Sequence, residues 1–128
     1  MTPEEARNIE VSKRYEDLYN SDVERFVREV YTSDLVVHCM GAASIHGPEK
    51  LIHVEKVVLS AAPRRTMRVD HRHASGSVVV VEATLLDPDQ GADWTLPFIA
   101  ALTCRDGKIA VDRSYAEWPR WPGLDLLK

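Results

Sequence analysis

Apolar residues recur at helical spacing in three segments before Pro63, with one short apolar run between the second and third, and at every second position after Pro63, so the chain changes from mainly helical to extended near its middle. Val11, Tyr15, Leu18 and Tyr19 share one helical face and predict a first helix from about Pro3 to Asn20. Thr2, Pro3 and Glu5 supply its start, a capping residue, a proline at the first helical position and a capping-box acid. Ser21 and Glu24 repeat that signal before Val23, Phe26, Val27, Val30 and Tyr31, which predicts a second helix. Asp34 to Met40 is short, apolar and β-branched and stops at Gly41, so it is expected to be a strand with a brief partner near Ser44 to His46. A third helix is expected from Pro48 to Ala62, burying Leu51, Val54, Val58 and Ala61, with Pro63 closing it.

Four strands are then predicted, over Arg64 to Ala74, Ser77 to Leu86, Trp94 to Cys104 and Lys108 to Trp118. The Asp106-Gly107 step between two apolar runs is a strong hairpin signal. Helices first and a strand meander afterwards predict one α+β domain over residues 1–128, with helices packed into a curved, mainly antiparallel sheet. Alternation then nominates cavity-lining positions: Val36, His38 and Met40; Val81 and Ala83; Phe98 and Ala100; Asp112 and Ser114. His73 follows Val69 and His71 in the same parity, and Trp118 opens a Trp-Pro-Arg-Trp-Pro tail placed to cap a cavity or pack across a dimer.

Composition narrows the function. A content of 45% hydrophobic and 28% charged residues suits a soluble globular domain. With a net charge of −4 and no free-standing basic cluster, neither nucleic acid nor an anionic membrane is an expected partner. The N-terminus has no basic and apolar leader pattern, and no apolar run approaches the ~20 residues of a membrane span, so a cytoplasmic location is expected. Cys39 and Cys104 read as reduced thiols, and no histidine or carboxylate set has metal-ligand spacing, so neither metal nor cofactor is expected. What remains is acid-base chemistry. Tyr15 is carried inward on the helical stripe, and His38 ends an apolar strand, so a phenol donor and an imidazole base could serve one site. Asp112 and Ser114 are further catalytic candidates on the last strand.

Several local patterns, in their order, resemble the NTF2-like superfamily, and within it SnoaL-like and ketosteroid-isomerase-like proteins. They are Arg14-Tyr15, Asn20-Ser21-Asp22, Asp34-Leu35-Val36-Val37-His38 followed by Ile45-His46-Gly47, and Arg105-Asp106-Gly107-Lys108-Ile109 through Arg113-Ser114-Tyr115. The resemblance implies a cone of three N-terminal helices inside a curved sheet, a homodimer and a small apolar ligand. Against ketosteroid isomerases, Tyr15 matches the tyrosine that donates to the developing enolate, and His38 matches the aspartate that shuttles the proton. An imidazole with an ordinary pKa of about 6.5 can take that role near neutrality. The second oxyanion donor falls at Ala100, which cannot donate. The water-activating residues of limonene-epoxide-hydrolase-like members fall at Ala83, Leu85 and Ser114, so that chemistry is not expected. The dehydratases of this fold that pair tyrosine with histidine are closer in residue type. The leading expectation is a cofactor-independent isomerase, cyclase or dehydratase acting on a small apolar carbonyl compound, with Tyr15 as donor and His38 as base. Its rival is a non-catalytic homodimeric ligand-binding or scaffold protein of the same fold, because this fold hosts both.

Overall fold

A computed structural model describes residues 1–127 and forms the expected α+β cone. Helix α1 spans Pro3–Tyr19, and Thr2 and Glu5 close a reciprocal capping box at its start. Helix α2 spans Val23–Val30, but its cap is Asp22, whose side chain accepts from the Arg25 amide, rather than Ser21. Strand β1 follows without a loop over Tyr31–Cys39, so Tyr31 begins a strand instead of ending the helix. A short β2, Ala43–His46, and helix α3, Pro48–Ala61, complete the first half.

Strands β3 (Thr66–Ser75), β4 (Val78–Leu86), β5 (Thr95–Arg105) and β6 (Lys108–Tyr115) follow as a meander. The sheet order is β2-β1-β6-β5-β4-β3, antiparallel throughout except where β6 lies parallel to β1. At the β5–β6 hairpin Asp106 and Gly107 both take positive φ, 53° and 80°, which explains why these residue types turn the chain here. The parallel contact brings the last strand under the first, with Val37 opposite Asp112 and Cys39 opposite Ser114.

The strand faces differ from the expected parity in two places. Leu35 and Val37 are buried on β1, so Val36, His38 and Met40 point to the outer side of the sheet. On β3 a bulge leaves Asp70 unmatched between Val69, opposite Ala83, and His71, opposite Glu82. One extra residue inverts the alternation, so Val69 faces the helices while His71 and His73 face outward. Helix α1 secures this bulge: Glu16 Oε2 accepts from the Val69 amide at 2.8 Å, Glu16 Oε1 pairs with Arg72, and Arg72 Nε donates to the buried Ser12 hydroxyl at 2.9 Å. Asn20 fixes the start of β3 by exchanging two hydrogen bonds with the Met67 backbone, 2.7 and 2.8 Å long.

The C-terminal segment packs back against β5 and α3. Trp121 packs edge-on against Phe98 with centroids 5.1 Å apart and lies 5.5 Å from Trp118. Gly123 sits at φ +81° against α3, where a Cβ would meet the Val57 carbonyl at 3.0 Å. A side chain there would be strained in backbone and crowded in space, so glycine alone lets the tail lie this close.

Candidate active site

Two hydroxyls hold one buried carboxylate beneath the helices. Inward alternation on β6 buries Asp112 to 3% exposure and Ser114 to 8%, and the parallel pairing with β1 sets Asp112 beside Val37. Tyr31, at the junction of α2 and β1, donates its phenol proton to Asp112 Oδ2 at 2.8 Å, and Ser114 Oγ donates to Oδ1 at 2.6 Å. Burial raises the Asp112 pKa and outweighs the two donors, which act in the opposite sense. The carboxylate is thus fixed in direction and has a raised affinity for a proton.

Tyr15 reaches the same interior from α1. It is 3% exposed, and its phenol is pushed well up, first by burial and then by the negative charge of Asp112. Phe26 orients the aromatic wall around them. Its ring lies 5.5 Å from Tyr15, 5.3 Å from Tyr19 and 5.3 Å from Tyr31. A phenol that keeps its proton beside a carboxylate that readily takes one is a donor and base pair able to move a proton next to a carbonyl group. Ala100 lies opposite Ser114 on β5 and adds no donor.

A second polar group lies nearby. Glu55 of α3 has its pKa raised to about 7, chiefly by burial and further by Asp112, with Arg65 opposing. Arg65 is 4% exposed and stacks its guanidinium on the Tyr19 ring, with Cζ 4.0 Å from the centroid. Cys39 is pushed up to about 11, mainly by burial, which makes it a poor nucleophile. Among the described residues no group of three or more acids, histidines or cysteines is arranged to hold a metal ion.

A family model describing a SnoaL-like domain matches residues 11–111 of this sequence. The chain belongs to the SnoaL-like family. No curated protein matches the sequence. Solved structures similar to it include one provisionally named a SnoaL-like polyketide cyclase from Jannaschia sp., with 21% identity and a TM-score of 0.81 over 93% of this chain and 91% of that one. A hypothetical protein of ketosteroid isomerase-like fold from Catenulispora acidiphila has 16% identity and a TM-score of 0.73 over 90% and 86%. An LEH-like epoxide hydrolase from M. tuberculosis has 18% identity and a TM-score of 0.69 over 93% and 89%. At these identities the likeness establishes a shared fold, one used by small-molecule enzymes.

Within this SnoaL-like domain the expected site residues divide. Tyr15, Asp112, Ser114, Val81, Ala83, Phe98 and Ala100 all lie buried in the interior. His38 does not join them: its Nδ1 is hydrogen-bonded to Ser44 Oγ at 2.8 Å on the exposed side of β1, so Tyr15 and His38 face opposite sides of the strand. Val36 and Met40 share that outward parity and do not line the interior. His73 is carried outward by the β3 bulge and pairs with Glu82 at 2.5 Å. Trp118 donates to the Met40 carbonyl at 2.9 Å, while its neighbour Trp121 supplies the ring over Phe98. Sequence reasoning missed Tyr31, Glu55 and Arg65. Glu55 had a signal, since it falls four positions after Leu51 and three before Val58 on an apolar helical face. A concavity of about 600 Å³ lies on the other side of the sheet, lined by Asp70, His71, Glu82, Thr84, Ile99 and Tyr115. Its acids are already held by neighbours, Asp70 by Arg68 and Thr84 and Glu82 by His73.

Proposed function

We propose that the protein is a cofactor-independent acid-base enzyme of isomerase, cyclase or dehydratase type, acting on a small, largely apolar carbonyl compound. Asp112 is the base and Tyr15 the donor to the carbonyl oxygen. The observation that carries this reading is the buried Asp112 carboxylate, held by Tyr31 and Ser114 and raised in proton affinity beside a buried phenol. Ionised Asp112 removes a proton from the carbon next to the carbonyl. The C–H electron pair becomes the enolate double bond, and the carbonyl pair moves onto the oxygen that Tyr15 hydrogen-bonds. The protonated acid then returns the proton to another carbon, giving an isomer. Alternatively, the enolate carbon attacks a second carbonyl carbon, whose oxygen takes the displaced electron pair and the proton from Asp112, or the enolate expels a β-hydroxyl that Asp112 protonates. Tyr31 and Ser114 are positioning residues, and the outward His38 has no part in the step.

The test is hydrogen-deuterium exchange next to the carbonyl in a panel of cyclic enones and 1,3-diketones. A donor such as Tyr15 contributes about 3 kcal/mol to an enolate-like transition state, so Tyr15→Phe should slow exchange about a hundredfold. His38→Ala should change it by no more than about twofold. Exchange no faster than in buffer, or equally fast in Tyr15→Phe, would dispose of the assignment and favour the non-catalytic binding protein, a reading for which Ala100 speaks by leaving the oxygen a single donor.

We also propose that the outer face of the sheet pairs with a second copy. Ile99 and Tyr115 are register partners there, 42% and 49% exposed, among side chains of both charges including Arg68, Asp70, His73 and Glu82. Such a mixed apolar and charged face is complementary to itself about a two-fold axis. Light scattering should give a dimer, and Tyr115→Asp should give a folded monomer. A monomeric native protein would refute the pairing.

A further inference from the structure

Three buried polar atoms near the catalytic pair have no hydrogen-bond partner among the described residues: Tyr19 Oη, Glu55 Oε2 and Arg65 Nε. They come from α1, from α3 and from the turn before β3, so separate parts of the fold converge on one place. Arg65 Cζ lies 4.0 Å from the Tyr19 ring centroid, and the charge of Glu55 raises the Tyr19 phenol while Arg65 lowers both Glu55 and Tyr19. Tyr19 and Arg65 are 3% and 4% exposed. Buried polar groups are ordinarily paired, and an acid beside a guanidinium would ordinarily pair with it. Here the guanidinium is committed elsewhere, with Cζ 4.0 Å from the Tyr19 ring centroid and Nη2 donating to the Tyr19 carbonyl at 3.4 Å. Its Nε–H and the Glu55 oxygen are therefore both left open.

We propose that Tyr19, Glu55 and Arg65 form a binding subsite for a hydroxyl group of the substrate, separate from the carbonyl that Tyr15 and Asp112 act on. This rests on the acid-base reading of the interior. The substrate is then a doubly oxygenated compound, a hydroxy-ketone with an apolar frame between its two polar ends. The donor set selects a hydroxyl, which both donates and accepts: Arg65 can only donate, Glu55 accepts when ionised, and Tyr19 does either. A carboxylate ligand would meet Glu55, and an ammonium would meet Arg65, so a neutral group fits best. A purely apolar ligand would leave all three atoms unpaired.

Two phenols probe the subsite without requiring the natural substrate. Calorimetric titration with 2,7-dihydroxynaphthalene and with 2-naphthol compares ligands with two polar ends and with one. The diol should bind at least about tenfold more tightly to the native protein, because only it can satisfy the second cluster. Tyr19→Phe removes an oxygen with no hydrogen-bond partner among the described residues, so it should fold normally. It should hold 2-naphthol as before and lose most of the preference for the diol, and Glu55→Gln should weaken that preference in the same way. Equal affinity for the two probes, no binding of the diol, or a preference that survives Tyr19→Phe would overturn the subsite. The two readings fail separately. Loss of the exchange activity with the diol preference intact would refute the acid-base role alone, and retained exchange without the preference would refute the subsite alone.

Discussion

Asp112→Asn is expected to lower the exchange rate by about a thousandfold while leaving the protein as stable at pH 7 as the native chain, or more so. The loss follows from removing the base, since a positioned general base contributes about 10²–10⁴ in rate. Stability follows from a different balance. The native carboxylate is buried with its affinity for protons raised, so the fold disfavours its charge. Asparagine keeps the shape without the charge. Its carbonyl oxygen can still accept from the Tyr31 phenol, and its amide can donate to Ser114 once that hydroxyl rotates. Asp112→Ala should behave differently, because it strands two buried hydroxyls and is expected to cost about 2 kcal/mol or more. Thermal melts at pH 7 beside the exchange assay separate the cases. A parallel fall of activity and stability in Asp112→Asn would make the residue part of the scaffold rather than of the chemistry.

The element order was legible because the helical and alternating stretches are largely separate and the turns carry their own chemistry, as Thr2-Pro3-Glu5 and Asp106-Gly107 do. The site was less legible, for three physical reasons. Along Leu35 to Met40 both alternating rows are largely apolar, with Leu35, Val37 and Cys39 on one side and Val36, His38 and Met40 on the other, so alternation could not select the buried face. The parallel β1–β6 contact decides it, and that contact joins segments far apart in sequence. The β3 bulge is a tertiary device: Glu16 on α1 supplies the acceptor that the Val69 amide needs, and nothing within Arg68 to His73 reveals it. Tyr31 fits the helical period after Val27 and Val30, yet β1 begins there without a loop, and that change of period aims its hydroxyl at Asp112.

On the acid-base reading proposed above, Tyr15 keeps its role and the proton acceptor becomes Asp112, two residues from Ser114, instead of the outward-facing His38. An aspartate in such a setting suits proton transfer from carbon for the same reason that it is costly to bury: desolvation weakens it as an acid and strengthens it as a base. The interior therefore concentrates groups that work against stability, Asp112, Glu55 and the unpartnered Tyr19 hydroxyl among them. Active sites commonly carry such a cost.

The pH dependence of stability should expose that cost directly. Glu55 has its folded pKa raised from the ordinary 4.5 to about 7, so between those values the native state holds a proton that the unfolded chain has released. Stability from this group is therefore full below about pH 4.5, declines as pH rises through the interval, and is gone above about pH 7. The change is at most about 3 kcal/mol, the free-energy equivalent of that shift. Asp112 is raised in the same sense, and Arg65 opposes the shift of Glu55. The surface acids Glu24, Glu29, Asp34 and Asp70 are lowered by their partners, and their opposite contribution falls at more acidic pH. Glu55→Gln removes the titration. Denaturant unfolding at pH 5 and at pH 8 should show the native protein losing stability relative to this variant as pH rises, so that the variant is the more stable of the two at pH 8. A constant difference between the two proteins across that range would mean that Glu55 ionises as freely in the folded chain as in the unfolded one, and the interior would then lack the desolvation on which the basicity of Asp112 also depends.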